Sequence, residues 1–527
     1  MMSDIGWRFD HSYSRLPAFF FEPAKAAPVP GPRLIIFNTP LARSLGLVSI
    51  GPDSPAGDSA NDRMVTGGSL GRLFCGLDPP PGALPIAQAY AGHQFGYFTM
   101  LGDGRALLLG EHLTPTGQRV DIHLKGSGPT AFSRRGDGKA ALAPMLREYI
   151  ISEGLHALGI PCTRTLAVAL TGETIYRQSE EPGAVMTRTA ASHLRVGTFE
   201  YAAAFGKRFG LPNAVNLLAD YALQRHDSDL ASLPAPERYI TFFSRIVSRQ
   251  AALVARWMHV GFIHGVMNTD NTSIAGESID FGPCAFLDEF DANAVFSSID
   301  HDGRYAYGNQ PKILHWNLER LADAMAPLWD DDASCIAPVL GQFQTLYRQH
   351  WLAGARAKLG LTGPFAVDDD ADDTALFEEF LSHLQAGRSD YTNAFRLLPT
   401  AVSLRGDVWP KAWHTKWMQR LRREGTDIHN AEHTRLLALR LEAANPLYIP
   451  RNHLVQKVLS EVTASGGEDL TSLTALLARI RSPFQSLAKV RGEPGGDGDR
   501  GEDRDFDSPY TSPPSAAEKV TATFCGT

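Results

Sequence analysis

No run of about 18 apolar residues occurs anywhere in the chain, so no stretch reads as a membrane-spanning helix. Cysteine is scarce, five in 527 residues, and Cys75, Cys162, Cys284, Cys335 and Cys525 show neither paired zinc spacing nor a disulfide framework. That scarcity fits a reducing compartment. There is no long basic run, and the net charge is −8, which makes nucleic acid a poor candidate partner. The first 23 residues carry Asp4, Asp10 and Glu22 and lack an apolar core, so they read as neither a secretory signal nor a transit peptide. Glycine-rich loops are present, but no Gly-Lys-Ser/Thr completes them, which excludes a Walker-type phosphate loop. What remains is a composition of 43% hydrophobic and 20% charged residues, that of a soluble globular protein. Its length suits one large two-lobed domain or two to three domains. The expectation is a cytoplasmic enzyme that engages neither membrane nor nucleic acid.

Residues 1 to about 80 are rich in Pro and Gly and predict short strands, one at 34–37, with a small helix near 40–45. Further on, Gly102-Asp103-Gly104-Arg105 makes a tight turn into the apolar run 106–109. It reads as an ordinary hairpin loop, or as a loop that offers backbone N–H groups and one guanidinium to a polyphosphate. Residues 120–125 alternate like a half-buried strand that ends in Lys125, and a second glycine-rich loop follows at 134–139. A helix is predicted over 144–158, with Pro144 in its first turn, Gly159 past its end and Pro161 forbidding continuation. Met145, Leu146, Tyr149 and Ile150 form its apolar stripe, and Glu148 sits at the edge, able to face the sheet. Residues 166–170 and 174–177 read as a hairpin turning at Gly172, and 185–188 as another strand. From about 203 the pattern is helical. A long amphipathic helix opens at Pro236 and stops at Gly261, and residues 312–480 are mostly helical. From Arg491 the chain turns Gly-, Asp-, Pro- and Ser-rich with a net charge of −4, which predicts disorder.

The chemistry gathers in His264-Gly-Val-Met-Asn-Thr-Asp270-Asn271 and, after a short predicted strand-turn-strand, Asp280-Phe281-Gly282. Asp-Phe-Gly alone is a turn after a strand. An Asn followed nine residues later by Asp-Phe-Gly is the layout in which kinase-like folds hold Mg²⁺ against nucleotide phosphates. Mg²⁺ requires hard oxygens, and the Asn271 amide and Asp280 carboxylate supply two. Lys125 and Glu148, 23 residues apart, are ordinary surface charges by themselves. Ahead of Asn271 and Asp280, in this order, they match the kinase pairing in which Glu fixes Lys against phosphate. Arg188 and Arg195 are candidates for the remaining phosphate charge. One position departs from the pattern. Antibiotic and choline kinases place an Asp five residues before the metal Asn, and here Val266 stands there. Asp270, beside Asn271, is the nearest carboxylate left to act as base.

The stretches 87–104, 121–138, 147–161, 264–282 and 445–453 resemble the selenoprotein O family, over roughly residues 5 to 490. The resemblance implies an α+β, protein-kinase-like two-lobed fold with family-specific extensions. A β-rich N-lobe with one key helix would take residues 1–200 and a mainly helical C-lobe residues 201–490. A flexible acidic tail, 491–527, would end near Cys525. It implies ATP bound in reverse and AMP transferred to Ser, Thr or Tyr hydroxyls of other proteins, or UMP from UTP with Mn²⁺. The implied nucleotide contacts are Gly102, Gly104, Arg105, Lys125, Asp137, Gly138, Arg188, Arg195 and Asp280, with Glu148 in support. Asp270 would be the proton acceptor, and Asn271 and Asp280 the ligands of Mg²⁺ or Mn²⁺. Relatives carry a redox-active residue near the C-terminus, which points to Cys525, with Cys284 the nearest thiol after Asp-Phe-Gly. Two other readings stand beside this one, a kinase-like phosphotransferase and a catalytically silent nucleotide-binding scaffold.

Overall fold

The computed structural model describes residues 5–47, 68–177, 179–363, 365–366, 369–403, 409–485 and 508–524. In chain order its strands are β1 (Phe9–Asp10), β2 (Phe21–Pro23), β3 (Arg33–Phe37), β4 (Ile86–Gln88), β5 (Ala91–Gln94), β6 (Tyr97–Met100) and β7 (Ala106–Leu113). They continue as β8 (Arg119–Lys125), β9 (Ala140–Ala141), β10 (Arg164–Tyr176), β11 (Glu180–Ala190), β12 (Phe262–Ile263) and β13 (Ala285–Phe286). One nine-stranded antiparallel sheet runs β2-β4-β7-β8-β11-β10-β3, with β1 added to β7 and β9 to β11. The pairs β5–β6 and β12–β13 form two small sheets of their own. Helices make up most of the rest, so the architecture is α+β.

Register decides which side chains meet. Lys125 lies opposite Met186, and His123 opposite Arg188. Directly opposed residues share a face. Asp121, His123, Lys125 and Arg188 therefore stand together on one side, and Ile122 and Leu124 on the other. The apolar side packs Ile122, Leu124 and Leu107 against Trp7, Leu41 and Phe74 from the first segments of the chain. The polar side is not open to water. Asp121, His123, Lys125 and Arg188 are all buried: the helix Leu142–Ala157 packs its Leu142, Met145 and Leu146 against Met186 and Ala184 beside Lys125, while His193 stacks on His123 and, with Arg225, pairs with Asp121. The half-buried reading of 120–125 is thus corrected: alternation there separates an apolar core from a buried polar layer.

The helix Leu142–Ala157 starts two residues before the predicted 144 and ends as its sequence indicates. Gly159, at φ +75°, gives its N–H to His156, and Ile160 gives its own to Leu155, at 3.0 and 2.9 Å. Those two bonds are the Schellman closure that a glycine past the helix end permits. A second prediction fails. β10 runs unbroken past Gly172, which is a bulge within the strand, and the chain reverses after Tyr176, where the Arg177 N–H bonds the Ser179 carbonyl. Gly172 has φ +76°, and a Cβ there would stand 2.6 Å from the Gly31 Cα, so glycine serves a close backbone crossing rather than a turn.

The helix Glu237–Val260 closes on Gly261 at φ +70° and delivers the chain into β12. β12 pairs with β13 and clasps the loop 264–284 between them. The strand-turn-strand predicted inside that loop is replaced by single bridges, Ser273 to Arg195 and Ser278 to Cys162. Arg195 and the loop are therefore tied directly. Part of the tail is also ordered, contrary to expectation. Residues 508–524 lie on the body, with Arg479 over the Tyr510 ring at 3.6 Å, Thr511 buried, and Thr523 bridged to Ser297. Averaging composition over 491–527 merges this Tyr- and Thr-bearing piece with the acidic run that precedes it, which lies outside the described residues. Among the described residues no helix is long and apolar enough to cross a membrane.

Candidate active site

Lys125 ends β8 facing the helix Leu142–Ala157, and its Nζ bonds the Glu148 carboxylate and, at 2.6 Å, Asp280 Oδ1. Arg188, one residue along the neighbouring strand's face, donates to the same Asp280 oxygen at 2.7 Å, with Glu148 Oε2 at 3.9 Å. Arg195 donates to Asp280 Oδ2 at 3.2 Å and to the Asp270 carbonyl at 2.8 Å, with its guanidinium 4.6 Å above the Tyr90 ring. Three cations and two carboxylates thus meet in one buried volume. Burial alone would raise the Asp280 carboxyl, but Lys125, Arg188 and Arg195 outweigh it and hold it well below the usual carboxylate range.

Asp270 has the opposite surroundings. Burial pushes its carboxyl up to about 7 against the pull of Arg195, and the charge of Asp280 adds to the rise. Its Oδ1 is buried without a hydrogen-bond partner, under β5, where a Cβ on Gly92 would stand 2.8 Å from that oxygen. A carboxyl held near neutrality with an unsatisfied oxygen is suited to exchange a proton. The Asn271 amide nitrogen donates to the Val266 carbonyl at 3.1 Å, which leaves the amide oxygen for another partner.

The glycine loop joins this cluster through the strands. Gly126 N–H bonds the Arg105 carbonyl at 2.7 Å, next to Lys125. Asp103 is buried, accepts from Gln88 N–H at 3.1 Å and lies 3.2 Å from His123 Nε2, and His123 Nδ1 is 3.4 Å from Arg188. Gly102, at φ +128°, leaves no room for a Cβ, which would stand 2.4 Å from the Phe132 ring. At Gly104 a Cβ would stand 2.9 Å from the Phe132 carbonyl, and Ser133 bonds the Gly104 carbonyl. Gly138, at φ +68°, packs on the Gly128 backbone, and Asp137 turns outward to a paired bond with Arg177 at 2.9 and 3.0 Å. Lys125, Glu148, Arg188, Arg195, Asp270 and Asp280 are therefore brought together, whereas the Asp137 carboxylate is engaged elsewhere. Tyr90, Gly92 and His123 were not singled out from sequence. The first two lie in the stretch 87–104, where a small residue and an aromatic recur without a pattern that assigns them chemistry.

Among the described residues no group of three or more His, Cys, Asp or Glu side chains is placed to hold a metal ion. Asp280 and the Asn271 amide oxygen alone make a sparse, hard-oxygen set. Such a set fits Mg²⁺ or Mn²⁺ whose remaining ligands are phosphate oxygens and water, not a stand-alone protein cage. Cys284 is buried, and burial raises its thiol to about 12, the reverse of what a reactive thiol needs. Cys525 lies outside the described residues.

A lysine–glutamate pair and an Asp-Phe-Gly carboxylate thus converge under two arginines, and similarity to known proteins gives the class of the chain. The chain is 46% identical, over 99% of its length and 98% of the relative's, to protein nucleotidyltransferase YdiU of Brevibacillus brevis. The same-named proteins of Geobacillus kaustophilus and Nitrosococcus oceani are 45% and 44% identical, over 99% of this chain and 100% and 98% of theirs. It is a nucleotidyltransferase by that likeness. The family model for Protein adenylyltransferase SelO matches residues 5–481, and the chain belongs to that family.

Proposed function

We propose that the protein transfers AMP from ATP, or UMP from UTP, to Ser, Thr or Tyr hydroxyls of other proteins and releases pyrophosphate. The observation that carries the reading is the convergence of Lys125, Arg188 and Arg195 on the single carboxylate Asp280, with Glu148 bracing the lysine. A triphosphate carries about four negative charges, and these three cations are the groups that move from carboxylate to phosphate oxygens when it enters. Asn271 and Asp280 would hold Mg²⁺ or Mn²⁺, which when bound neutralises phosphate charge and withdraws electrons from phosphorus. Gly102, Gly104 and Arg105, with Gly138 on the neighbouring loop, would line the rest of the nucleotide path, and Asp137 would reach it only by leaving Arg177. In this reading the nucleotide lies reversed in a two-lobed, kinase-like fold, with its α-phosphorus facing Asp270.

Asp270 takes the proton of the incoming hydroxyl. The oxygen then bonds to the α-phosphorus as the bond to pyrophosphate breaks. The proton acceptor contributes about 10²–10⁴-fold, and the cations supply the larger share by stabilising charge on the departing pyrophosphate. Val266, apolar and buried where a kinase base would stand, supports this over γ-phosphoryl transfer. In this reading the protein acts in the cytoplasm and on other proteins, in keeping with a net charge of −8 and no long basic run. Incubation with ATP labelled at the α- or the γ-phosphate tests the reading. Label should enter protein only from the α-position. Label from the γ-position alone means a phosphotransferase, and label from neither means a silent scaffold.

A further inference from the structure

Arg147 immediately precedes Glu148 on the helix Leu142–Ala157, and neighbouring helix positions point in different directions. Glu148 turns to Lys125. Arg147, also buried, turns to the loop: its Nε donates to the Gly282 carbonyl at 2.8 Å and its Nη2 to the Cys284 carbonyl at 2.5 Å. These carbonyls follow Asp280, whose φ of +64° lies in a region L-residues rarely adopt. Such a conformation persists only where its surroundings over-determine it.

Downstream the same segment is fixed again. Asn452 accepts from the Phe286 N–H at 3.0 Å and donates to the Phe286 carbonyl at 2.7 Å, and Arg451 bonds Asp288 at 3.0 Å. Those contacts anchor the strand end of the segment. Arg147 holds the carbonyls two and four residues past Asp280, while the Ile279 carbonyl just before it lies 2.9 Å from His264 Nε2.

We propose that Arg147 is a positioning residue for the metal-binding carboxylate. One helix thereby braces both halves of the nucleotide site, the phosphate lysine through Glu148 and the Asp280 loop through Arg147. The inference rests on the reading of Asp280 as a metal ligand. Arg147 itself touches no reacting atom.

Arg147→Met keeps an unbranched stem and removes both donors, and Arg147→Lys keeps the charge and one bond. The test follows free Mn²⁺ by electron paramagnetic resonance during titration of each variant with an ATP analogue blocked between its α- and β-phosphates. Transfer kinetics and thermal unfolding are measured on the same samples, with Asp280→Asn in parallel. Arg147→Met should weaken Mn²⁺ binding by about 10–100-fold, the usual effect of removing a partner that orients a ligand. Arg147→Lys should recover part of that loss, and KM for ATP at saturating metal should stay close to that of the unsubstituted protein. Mn²⁺ binding unchanged in Arg147→Met overturns the proposal. So does a loss of Mn²⁺ and nucleotide together, tracking a lower melting temperature that lysine does not restore. If Asp280→Asn binds Mn²⁺ normally, the metal reading itself falls and the proposal with it.

Discussion

Asp270 and Asp280 sit in one loop, the first buried and the second half-buried, and burial pushes both carboxyls up, yet their neighbours drive them in opposite directions. At Asp280 three cations overcome the cost of burial, and the carboxylate stays ionised. At Asp270 the burial to which β5 contributes outweighs the pull of the single cation Arg195, and the carboxyl is lifted to about 7. Neighbours, not depth, decide the outcome. Two like groups pushed apart in this way are suited to the separate roles proposed for them, permanent anion and proton acceptor. Removing the anion should have the largest effect. Asp280→Ala leaves Lys125, Arg188 and Arg195 facing one another without their shared carboxylate, and should lower AMP transfer by about 10³-fold. Radiolabel transfer at saturating ATP measures it, and near-normal rates would refute the role assigned to Asp280.

The covered end can be disturbed without altering any charge. Gly92 lies so close to Asp270 that a Cβ would stand 2.8 Å from Oδ1 and 3.1 Å from the backbone nitrogen. Gly92→Ala must therefore push the carboxyl from its place. A shift on the order of 1 Å costs about 10²-fold in rate. The nucleotide KM should change little, because Lys125 and Arg188 are untouched and Arg195 keeps its bond to Asp280. A variant with full kcat would mean that β5 does not fix the position of Asp270, and the contrast between the two carboxyls would lose its geometric basis.

Much of the charged end was legible in the sequence because its residues obey spacing rules. Lys125 closes a strand, Glu148 sits at the edge of a capped helix, and Asn271 and Asp280 share a loop. Each position follows from local periodicity and from Gly or Pro punctuation. Arg188 and Arg195 were legible only as charge in want of a partner; the register of β8 against β11 brings Arg188 to Asp280. The covered end was not legible. Gly92 approaches Asp270 across 178 residues of chain, and nothing in a short window of sequence marks a close approach between distant segments. The Gly172 bulge was misread for the same reason, since its glycine answers to Gly31 and not to its own neighbours. The tail was misread because composition was averaged over two unlike pieces.

The smallest effect concerns what stands behind Arg188. His123 and His193 stack with ring centroids 4.2 Å apart, Asp121 is 3.0 Å from His193 Nδ1, and Arg225 pairs with Asp121 at 2.7 Å. Burial, then His123 and Arg188, lowers His193 to about 3, although Asp121 pulls the other way. The imidazole therefore stays neutral, and no further positive charge builds up beside Arg188, the arginine proposed to meet phosphate. In the unfolded chain the same group takes a proton near pH 6.5. Between pH 6.5 and 3 the unfolded state holds one proton that the folded state refuses. Stability is thus fully present above pH 6.5 and falls on acidification by about 1.4 kcal/mol per pH unit for this residue. His193→Gln keeps an amide that can donate to Asp121 and abolishes the titration. Urea unfolding at pH 6 and pH 5 should show the slope of stability with pH reduced by roughly 1 kcal/mol per unit in the variant. Buried histidines outside this stack, His226 and His259 at about 3 among them, contribute equally to both proteins and cancel in the difference, and His123, lowered chiefly by its own burial, stays neutral in both. An unchanged slope would mean that His193 is already charged in the folded protein, and that the cationic end tolerates a fourth positive group the contrast with Asp270 does not allow.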